Sequence, residues 1–524
     1  MPTRPIVLSG FMATGKTTVG RALSERLAVP FVDTDAVLVA RHGAPIATQW
    51  SRDGEAVFRA KEADLVRELL ADASTRVIAF GGGTVTRRDV RRLAVANAFV
   101  VTLEAAPDVV VARAGDLASR PNLAAADPVE RARELVAARK DAYAECHLTL
   151  ATDSLEVDET VEAIALAAER DPLLVPLGTR SYVIDVGVDA PHLLTDAVAR
   201  LAPSSVLLVT DGNVQRARGA VFVKALSPLA FGGSRVVLPA GEEHKTFATV
   251  GTIWDAALGA GIDRDALVVA AGGGVVGDLA GFAASTLLRG VRFVTAPTTL
   301  LAMVDASVGG KTGFDHAMGK NLVGSFHQPS AVVVDVAHLR TLPARDRTAG
   351  LAEVVKMGLT HDADLFETVE DAADRLRDGD EGAIARIVRR ALAAKIRVVQ
   401  DDERESGPRM VLNFGHTLGH ALESGGHFTK FRHGEAVALG MLAELDFTTR
   451  SGWTDPTLGP RVRTLLERLG LPSRATDMDR HAAIPHLGSD KKRTGASVRM
   501  PIVTDVGVCR LERVDLATLA TTLQ

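Results

Sequence analysis

Only two cysteines, Cys146 and Cys509, occur in the sequence, too few for a disulfide framework or a cysteine-built zinc site. That scarcity is the usage expected of a reducing cytoplasm. Neither sign of charge dominates: 60 basic against 65 acidic residues leave −5, so no broad field draws the chain to nucleic acid or anionic lipid. Basic residues that matter must act locally. A signal peptide is not expected, because the apolar run in MPTRPIVLSG is too short. The apolar stretch 266–277 is glycine-rich and stops at Asp278, short of a bilayer span, so it reads as a buried strand and tight turn. What is present is an ordinary globular composition, 47% apolar and 24% charged. Its 524 residues exceed what one core supports, so two to four domains are expected.

Short β-branched runs at residues 5–8, 76–80 and 99–103 alternate with helical stretches such as Lys16–Leu27 and residues 160–169. This alternation predicts a parallel sheet wrapped by helices. Asp171-Pro172 and the proline- and glycine-marked stretch after it read as a linker, with a new strand over 181–187. The alternation then resumes, with strands expected at 206–210, 236–239, 267–271 and 331–334. Beyond Pro343, alanine- and leucine-bearing helical stretches dominate. The expected divisions are 1–170, a linker at 171–180, an α/β domain at 181–340 and a mostly helical domain at 341–524.

The clearest motif is Gly10-Phe11-Met12-Ala13-Thr14-Gly15-Lys16-Thr17, a G-x-x-x-x-G-K-[ST] loop between an expected strand and helix. Its backbone N–H groups and the helix N-terminus suit phosphate, Lys16 would reach the β- and γ-phosphates, and the Thr17 hydroxyl would join Mg²⁺. The loop names a donor and leaves the acceptor open. Asp33-Thr34-Asp35, Gly54-Glu55 with Phe58-Arg59, Gly81-Gly82-Gly83, Arg120-Pro121, and Arg139 with Tyr143 follow in order.

Over residues 4–165 this series resembles shikimate kinase, a nucleoside-monophosphate-kinase-like P-loop fold with helices on both faces of a parallel sheet. The resemblance implies ATP contacts from Gly10, Ala13, Thr14, Gly15, Lys16, Thr17, Thr18 and Arg120, with Mg²⁺ held by Thr17 and Asp33. It implies a shikimate pocket of Asp35, Arg59, Gly81, Gly82, Gly83 and Arg139, the arginines clamping a carboxylate and Asp35 orienting the attacking hydroxyl. Arg120, in the lid expected over 115–128, would stabilise the transferring phosphoryl group beside Lys16. One departure from the family is Gln49-Trp50, where an aliphatic–aromatic pair is more usual.

Further along, Gly272-Gly273-Gly274-Val275-Val276-Gly277-Asp278 follows a strand and precedes a helix, and can be a pyrophosphate site or a plain tight turn. His416 and His420 stand at i and i+4 of a helix, His433-Gly434-Glu435 follows, and Glu353 lies upstream in an apolar helix. Histidines beside such a carboxylate fit an open catalytic divalent-metal site.

Over residues 178–510 the ordered blocks resemble 3-dehydroquinate synthase, with an α/β NAD-binding domain and a mostly helical metal-binding domain. They include Pro239-Ala240-Gly241-Glu242 with Lys245, Asp305-Ala306-Ser307-Val308-Gly309-Gly310-Lys311, Gly319-Lys320-Asn321, Asp402-Glu403-Arg404-Glu405 and Asn413-Phe414-Gly415-His416. The resemblance implies zinc or cobalt on Glu353, His416 and His433, with His420 in proton transfer. It implies NAD on Asp211, Asn213, Glu242, Lys245, Gly273, Gly274, Val275, Asp278, Thr298, Thr299, Leu301, Lys320 and Thr341. The heptulosonate phosphate substrate would meet Asp305, Lys311, Asn321, Lys356, Lys395, Arg409, Asn413 and His420, with Arg289 and Lys491 (or Lys492) near its phosphate. Lys311 and Lys356 are the further catalytic candidates. A homodimer through this half is implied as well.

Three rivals are set aside. A metal-dependent polyol dehydrogenase needs no phosphate-binding cluster, and a nucleotide sensor needs no acceptor clamp. Another sugar-phosphate cyclase fits poorly beside a shikimate kinase. The two reactions are not consecutive, so the fusion implies no direct transfer.

Overall fold

The computed structural model describes residues 2–72, 74–115, 123, 125–426, 430–489, 493–494 and 497–521. It divides into two compact units, Met1–Asp185 and Val186–Gln524. Among the described residues no helix is long and apolar enough to cross a membrane.

In the first unit, five parallel strands run in the order Phe31–Asp33, Val77–Ala79, Ile6–Ser9, Phe99–Glu104, Leu148–Ala151. Side chains alternate across the sheet. Ile6 and Leu8 face Leu23 of the helix Lys16–Leu27 and Ile164 of the helix Val157–Arg170, while Val7 joins Val66, Leu70 and Val90 on the other face. Both faces are covered, so the strands read as continuous apolar runs. The loop after Ile6–Ser9 and the cap of the helix Thr34–His42 meet at one end of the sheet, where the Asp33 side chain accepts from the amides of Asp35 and Ala36.

The second unit is built on parallel strands in the order Arg235–Leu238, Val206–Asp211, Leu267–Gly272, Arg292–Pro297, Ala331–Asp335. Alternation again feeds two cores: Leu207, Val209 and Val268 on one side, Leu208, Val269 and Ala271 on the other. A glycine-rich antiparallel ribbon, Lys311–His316 with Gly319–Phe326, leaves this sheet. The helical part follows, led by Ala344–His361, Glu381–Val399, His416–Gly425 and His433–Arg450. Residues 349–360 of the first of these are all buried, so a carboxylate there is held inside protein. The helices His416–Gly425 and His433–Arg450 approach closely at Gly440, where a Cβ would stand 2.0 Å from the Gly415 carbonyl oxygen. An antiparallel pair, Ser497–Asp505 with Val508–Asp515, packs Val498 and Met500 against Leu418 and Leu422 of the histidine-bearing helix.

Candidate active sites

In the first unit the P-loop turns through left-handed Ala13 (φ 60) and Gly15 (φ 90) into a helix whose first turn has no side-chain cap among the described residues. Its N–H groups therefore face the loop's concavity. Lys16 folds back over the loop, donating to the carbonyls of Gly10 (2.9 Å) and Phe11 (2.6 Å). Thr14 is buried and donates to Phe11, while Thr17 and Thr18 are exposed. The Thr17 hydroxyl donates to Asp33 Oδ2 at 2.8 Å, leaving a hydroxyl and a carboxylate oxygen together as Mg²⁺ would need them.

The acceptor side converges on the glycine triplet. Thr34 Oγ1 accepts from the Gly81 amide at 3.1 Å, tying the Asp33–Asp35 turn to the triplet. The Arg139 guanidinium and the Tyr143 hydroxyl both donate to Gly82 O, at 3.1 and 2.5 Å. The Arg59 guanidinium occupies the space a Cβ at Gly83 would need, 2.1 Å away, so a side chain there would displace it. Arg59 is ion-paired with buried Glu62 and lies over the Trp50 ring at 4.9 Å. Burial, with Glu62 and Asp33 beside it, lifts the Asp35 carboxyl to about 6 against the pull of Lys16 and Arg59.

Glu62 was not expected. It accepts from Thr84 (2.8 Å) and holds Arg59, and its one sequence signal is the i+3 spacing from that arginine. The unusual Gln49-Trp50 pair has a local reason: Gln49 is fully buried and donates to Ala44 O (2.8 Å) and Leu38 O (3.3 Å), while Trp50 supports Arg59. Arg120 and most of the expected lid lie outside the described residues.

In the second unit the glycine turn closes the strand Leu267–Gly272 and opens the helix Gly274–Thr286, again without a side-chain cap among the described residues. The turn is thus a free helix N-terminus, with Thr298 N bonded to Gly272 O at 2.9 Å and the Thr299 hydroxyl accepting from Ala302. Asp278 forms a 2.6 Å ion pair with buried Lys245, which also donates to Asn321 Oδ1 at 2.5 Å; Glu242 pairs with Lys320 at 3.5 Å. Burial lowers the Lys245 ammonium, but Asp278 and Glu242 more than reverse this and it ends above its usual value. Asp211 caps its helix from below Asn213 and Val214, and Asn213 Oδ1 accepts from Arg216. Val275 and Leu301 are half-buried, whereas Thr341 is exposed and bonded to His338 O.

A charged cluster surrounds Asp305 on the π-helical segment Ala302–Ala306. Lys395 Nζ lies 2.7 Å from Asp305 Oδ1. Burial would raise this carboxyl, yet Lys395 and Lys356 hold it well below its usual range. Arg409 is buried and donates to Glu403 O at 2.6 Å, Lys311 pairs with Glu405, and Asn413 donates to Glu405 Oε1 at 3.0 Å. Arg289 is exposed at φ 68 and, among the described residues, makes no hydrogen bond or ion pair with this cluster. Lys491 and Lys492 lie outside the described residues.

Glu353, His416 and His433 converge with their ligand atoms within 4.8 Å of one another. His416 Nε2 and His433 Nε2 stand 3.4 and 3.6 Å from Glu353 Oε1. Tetrahedral bonds of about 2.0–2.2 Å imply ligand–ligand edges of about 3.3–3.6 Å, so the triad has the spacing of a divalent-metal cradle. Glu353 is fully buried, and among the described residues neither of its oxygens receives a hydrogen bond, although the Lys356 ammonium pairs with one. Lys356 supplies one positive charge there, and a carboxylate with two imidazoles is a donor set suited to a divalent cation. His420 is exposed, its ring 5.3 Å from that of His416. Sequence reasoning missed two supporting acids: Glu423, 3.3 Å from His433 Nδ1, and fully buried Glu444, which accepts from Gly415 N at 2.8 Å.

A P-loop kinase-type domain, followed by an α/β domain with a helical histidine–carboxylate centre, is the class these folds and sites define. By family-model matches, the chain belongs to the shikimate kinase family over residues 12–168 and to the 3-dehydroquinate synthase family over 235–349 (N-terminal) and 350–493 (C-terminal). It is thus a bifunctional enzyme of the shikimate pathway, a kinase and a lyase in one chain. Among solved structures it is similar to a 2-deoxy-scyllo-inosose synthase complexed with carbaglucose-6-phosphate, NAD+ and Co2+, at 25% identity and TM-score 0.62, over 67% of this chain and 99% of that one. A 2-epi-5-epi-valiolone synthase from Streptomyces hygroscopicus subsp. jinggangensis 5008, with NAD+ and Zn2+ bound, matches at 29% and 0.57 over 65% of this chain and 95% of that one. A shikimate kinase from Acinetobacter baumannii in complex with shikimate is 30% identical over 32% of this chain and 94% of that one, with a TM-score of 0.31.

Proposed function

We propose that the N-terminal unit transfers the γ-phosphoryl group of Mg²⁺-ATP to the 3-hydroxyl of shikimate. The C-terminal unit, in the same reading, converts 3-deoxy-D-arabino-heptulosonate 7-phosphate to 3-dehydroquinate and phosphate with NAD and Zn²⁺ or Co²⁺. For the kinase half, the supporting observation is convergence: Arg59, Arg139 and the Asp35 turn all meet one glycine triplet beside the P-loop. Lys16 and the helix N-terminus bind the donor phosphates, and the two guanidinia hold the acceptor's carboxylate. Asp35 accepts the proton of the attacking hydroxyl; at about 6 its carboxyl is ionised at neutral pH yet more basic than a surface aspartate.

For the synthase half, the supporting observation is Lys356, buried between two groups of the site: it pairs with Glu353 and pulls on the Asp305 carboxyl. When bound, NAD supplies reversible hydride acceptance and the divalent metal a Lewis acid. Glu353, His416 and His433 would hold that metal, and the Gly273–Gly274 turn with Lys245 and Asp278 would hold the dinucleotide. Lys311, Lys395 and Arg409 bind the charged substrate, Asn413 orients it, and His420 moves a proton at the solvent edge. The domain divisions 1–170, 181–340 and 341–524, a homodimer through the second half and a cytoplasmic setting belong to the same reading.

The likeness to a 2-deoxy-scyllo-inosose synthase and a 2-epi-5-epi-valiolone synthase supports a second reading for this half, a different ring-forming reaction. Product analysis decides between them. We expect ADP formation dependent on shikimate, and chelator-sensitive phosphate release from the heptulosonate phosphate without net NADH. Turnover of glucose 6-phosphate instead would favour the second reading.

A further inference from the structure

His433 is the first residue of the helix His433–Arg450 and stands between two carboxylates. Its Nε2 lies 3.6 Å from Glu353 Oε1, and its Nδ1 lies 3.3 Å from Glu423 Oε2. Glu423 is 6% exposed and sits on the helix His416–Gly425, two turns beyond His416 and on the same face. A neutral imidazole carries one proton, so it offers a lone pair from one nitrogen only when the proton is on the other. His416 meets this condition with backbone: its Nδ1 is 3.1 Å from the Phe414 carbonyl oxygen, which can only accept, so Nε2 is the free nitrogen. Among the described residues no carbonyl plays that part for His433; the acceptor at its Nδ1 is the Glu423 side chain.

We propose that Glu423 is a positioning residue: it accepts the Nδ1–H of His433, fixes the tautomer and ring angle that present Nε2 beside Glu353 and His416, and so strengthens divalent-metal binding there. The inference rests on reading that triad as a metal centre. A hydrogen-bonded carboxylate behind a ligating imidazole both orients the ring and makes it a stronger donor. Glu423 also adds negative charge beside the site without taking a coordination position. His420, Glu423 and His433 likewise bring ligand atoms within 4.8 Å of one another, so direct ligation by Glu423 is the alternative the experiment must separate. The geometry favours the hydrogen bond, because ligation at Nδ1 would require His433 to give up that proton while His420 stands exposed.

The experiment uses the full chain, stripped of metal with a chelator and titrated with Co²⁺ against a chromophoric chelator. Wild type, Glu423→Ala and Glu423→Gln are compared, with circular dichroism as the folding control. Wild type should bind one Co²⁺ at this site. Glu423→Ala should weaken it roughly 10–100-fold, and Glu423→Gln less, because the amide oxygen can still accept. The cobalt visible spectrum should keep its shape in both variants, since the three ligands remain. Wild-type affinity in both folded variants would overturn the inference. So would a spectrum reporting a lost ligand, or a second equivalent of Co²⁺ that disappears in Glu423→Gln. If wild type binds no Co²⁺, the metal-centre reading itself fails, and the inference falls with it.

Discussion

Lys395 Nζ stands 2.7 Å from Asp305 Oδ1, joining the helix Glu381–Val399 to the π-helical segment Ala302–Ala306. Burial drives this ammonium down from its usual 10.5 to about 8, against Asp305 and with Arg409 adding to the fall. The native state therefore holds fewer protons than the unfolded chain between about 8 and 10.5, and this group's contribution to stability rises with pH across that window. Loss of function there is thus a loss of charge toward substrate. The synthase KM for the heptulosonate phosphate should climb above pH 8, about tenfold by pH 9, while thermal melts show no matching decline. Lys395→Arg keeps the charge and should flatten the limb, as KM profiles from pH 7 to 9.5 will show.

Arg59 predicts a split between the two kinase substrates. Its guanidinium is held by Glu62 and stacked on Trp50, aimed at the glycine triplet. Removing a charge-assisted bond costs about 1.5–3 kcal/mol, roughly 10–150-fold in binding. Arg59→Ala should raise the shikimate KM by that factor and leave the ATP KM within about twofold. Steady-state kinetics with each substrate varied in turn checks this, and Arg59→Lys should recover only part, because an ammonium lacks the planar fork.

Gly440 predicts a coupling between packing and the metal centre. A methyl there meets the Gly415 carbonyl at 2.0 Å and the Gly419 amide at 2.7 Å, both flanking His416. Overpacking of this kind costs about 1–3 kcal/mol. Gly440→Ala should lower the melting temperature of the full chain and weaken Co²⁺ binding together, read by calorimetry and by chelator competition.

Legibility in the sequence follows how local each feature is. The P-loop was readable because eight consecutive residues carry it, and its strand and helix edges fell within a residue of those expected: Ile6–Ser9 and Lys16–Leu27. Most α/β strands were equally clear, since β-branched runs buried on both faces end at polar or glycine caps such as Asp211 and Gly272, but Phe31–Asp33, Leu148–Ala151 and Arg292–Pro297 were not among the runs expected. The ribbon Lys311–His316 with Gly319–Phe326 left no alternating pattern, being rich in glycine and charge. The pair Ser497–Asp505 and Val508–Asp515 was hidden by the helical character of what precedes it. At the metal centre, helical spacing put His416 and His420 on one face, but which one turns inward depends on Glu353, far upstream and unrelated by spacing. Glu423 and Glu444 were silent for the same reason, each taking its role from a partner that tertiary packing supplies, whereas Glu62 had only its i+3 spacing from Arg59 to mark it.

The central claim is two separate active sites in one chain, and crossed variants test it most directly. Full-length wild type, Lys16→Met and His416→Ala would be assayed for ADP formation with shikimate and for 3-dehydroquinate formation from the heptulosonate phosphate. The account predicts both activities in wild type, loss of the first alone in Lys16→Met, and loss of the second alone in His416→Ala. Loss of both reactions in either folded variant, or absence of either from wild type, would contradict it.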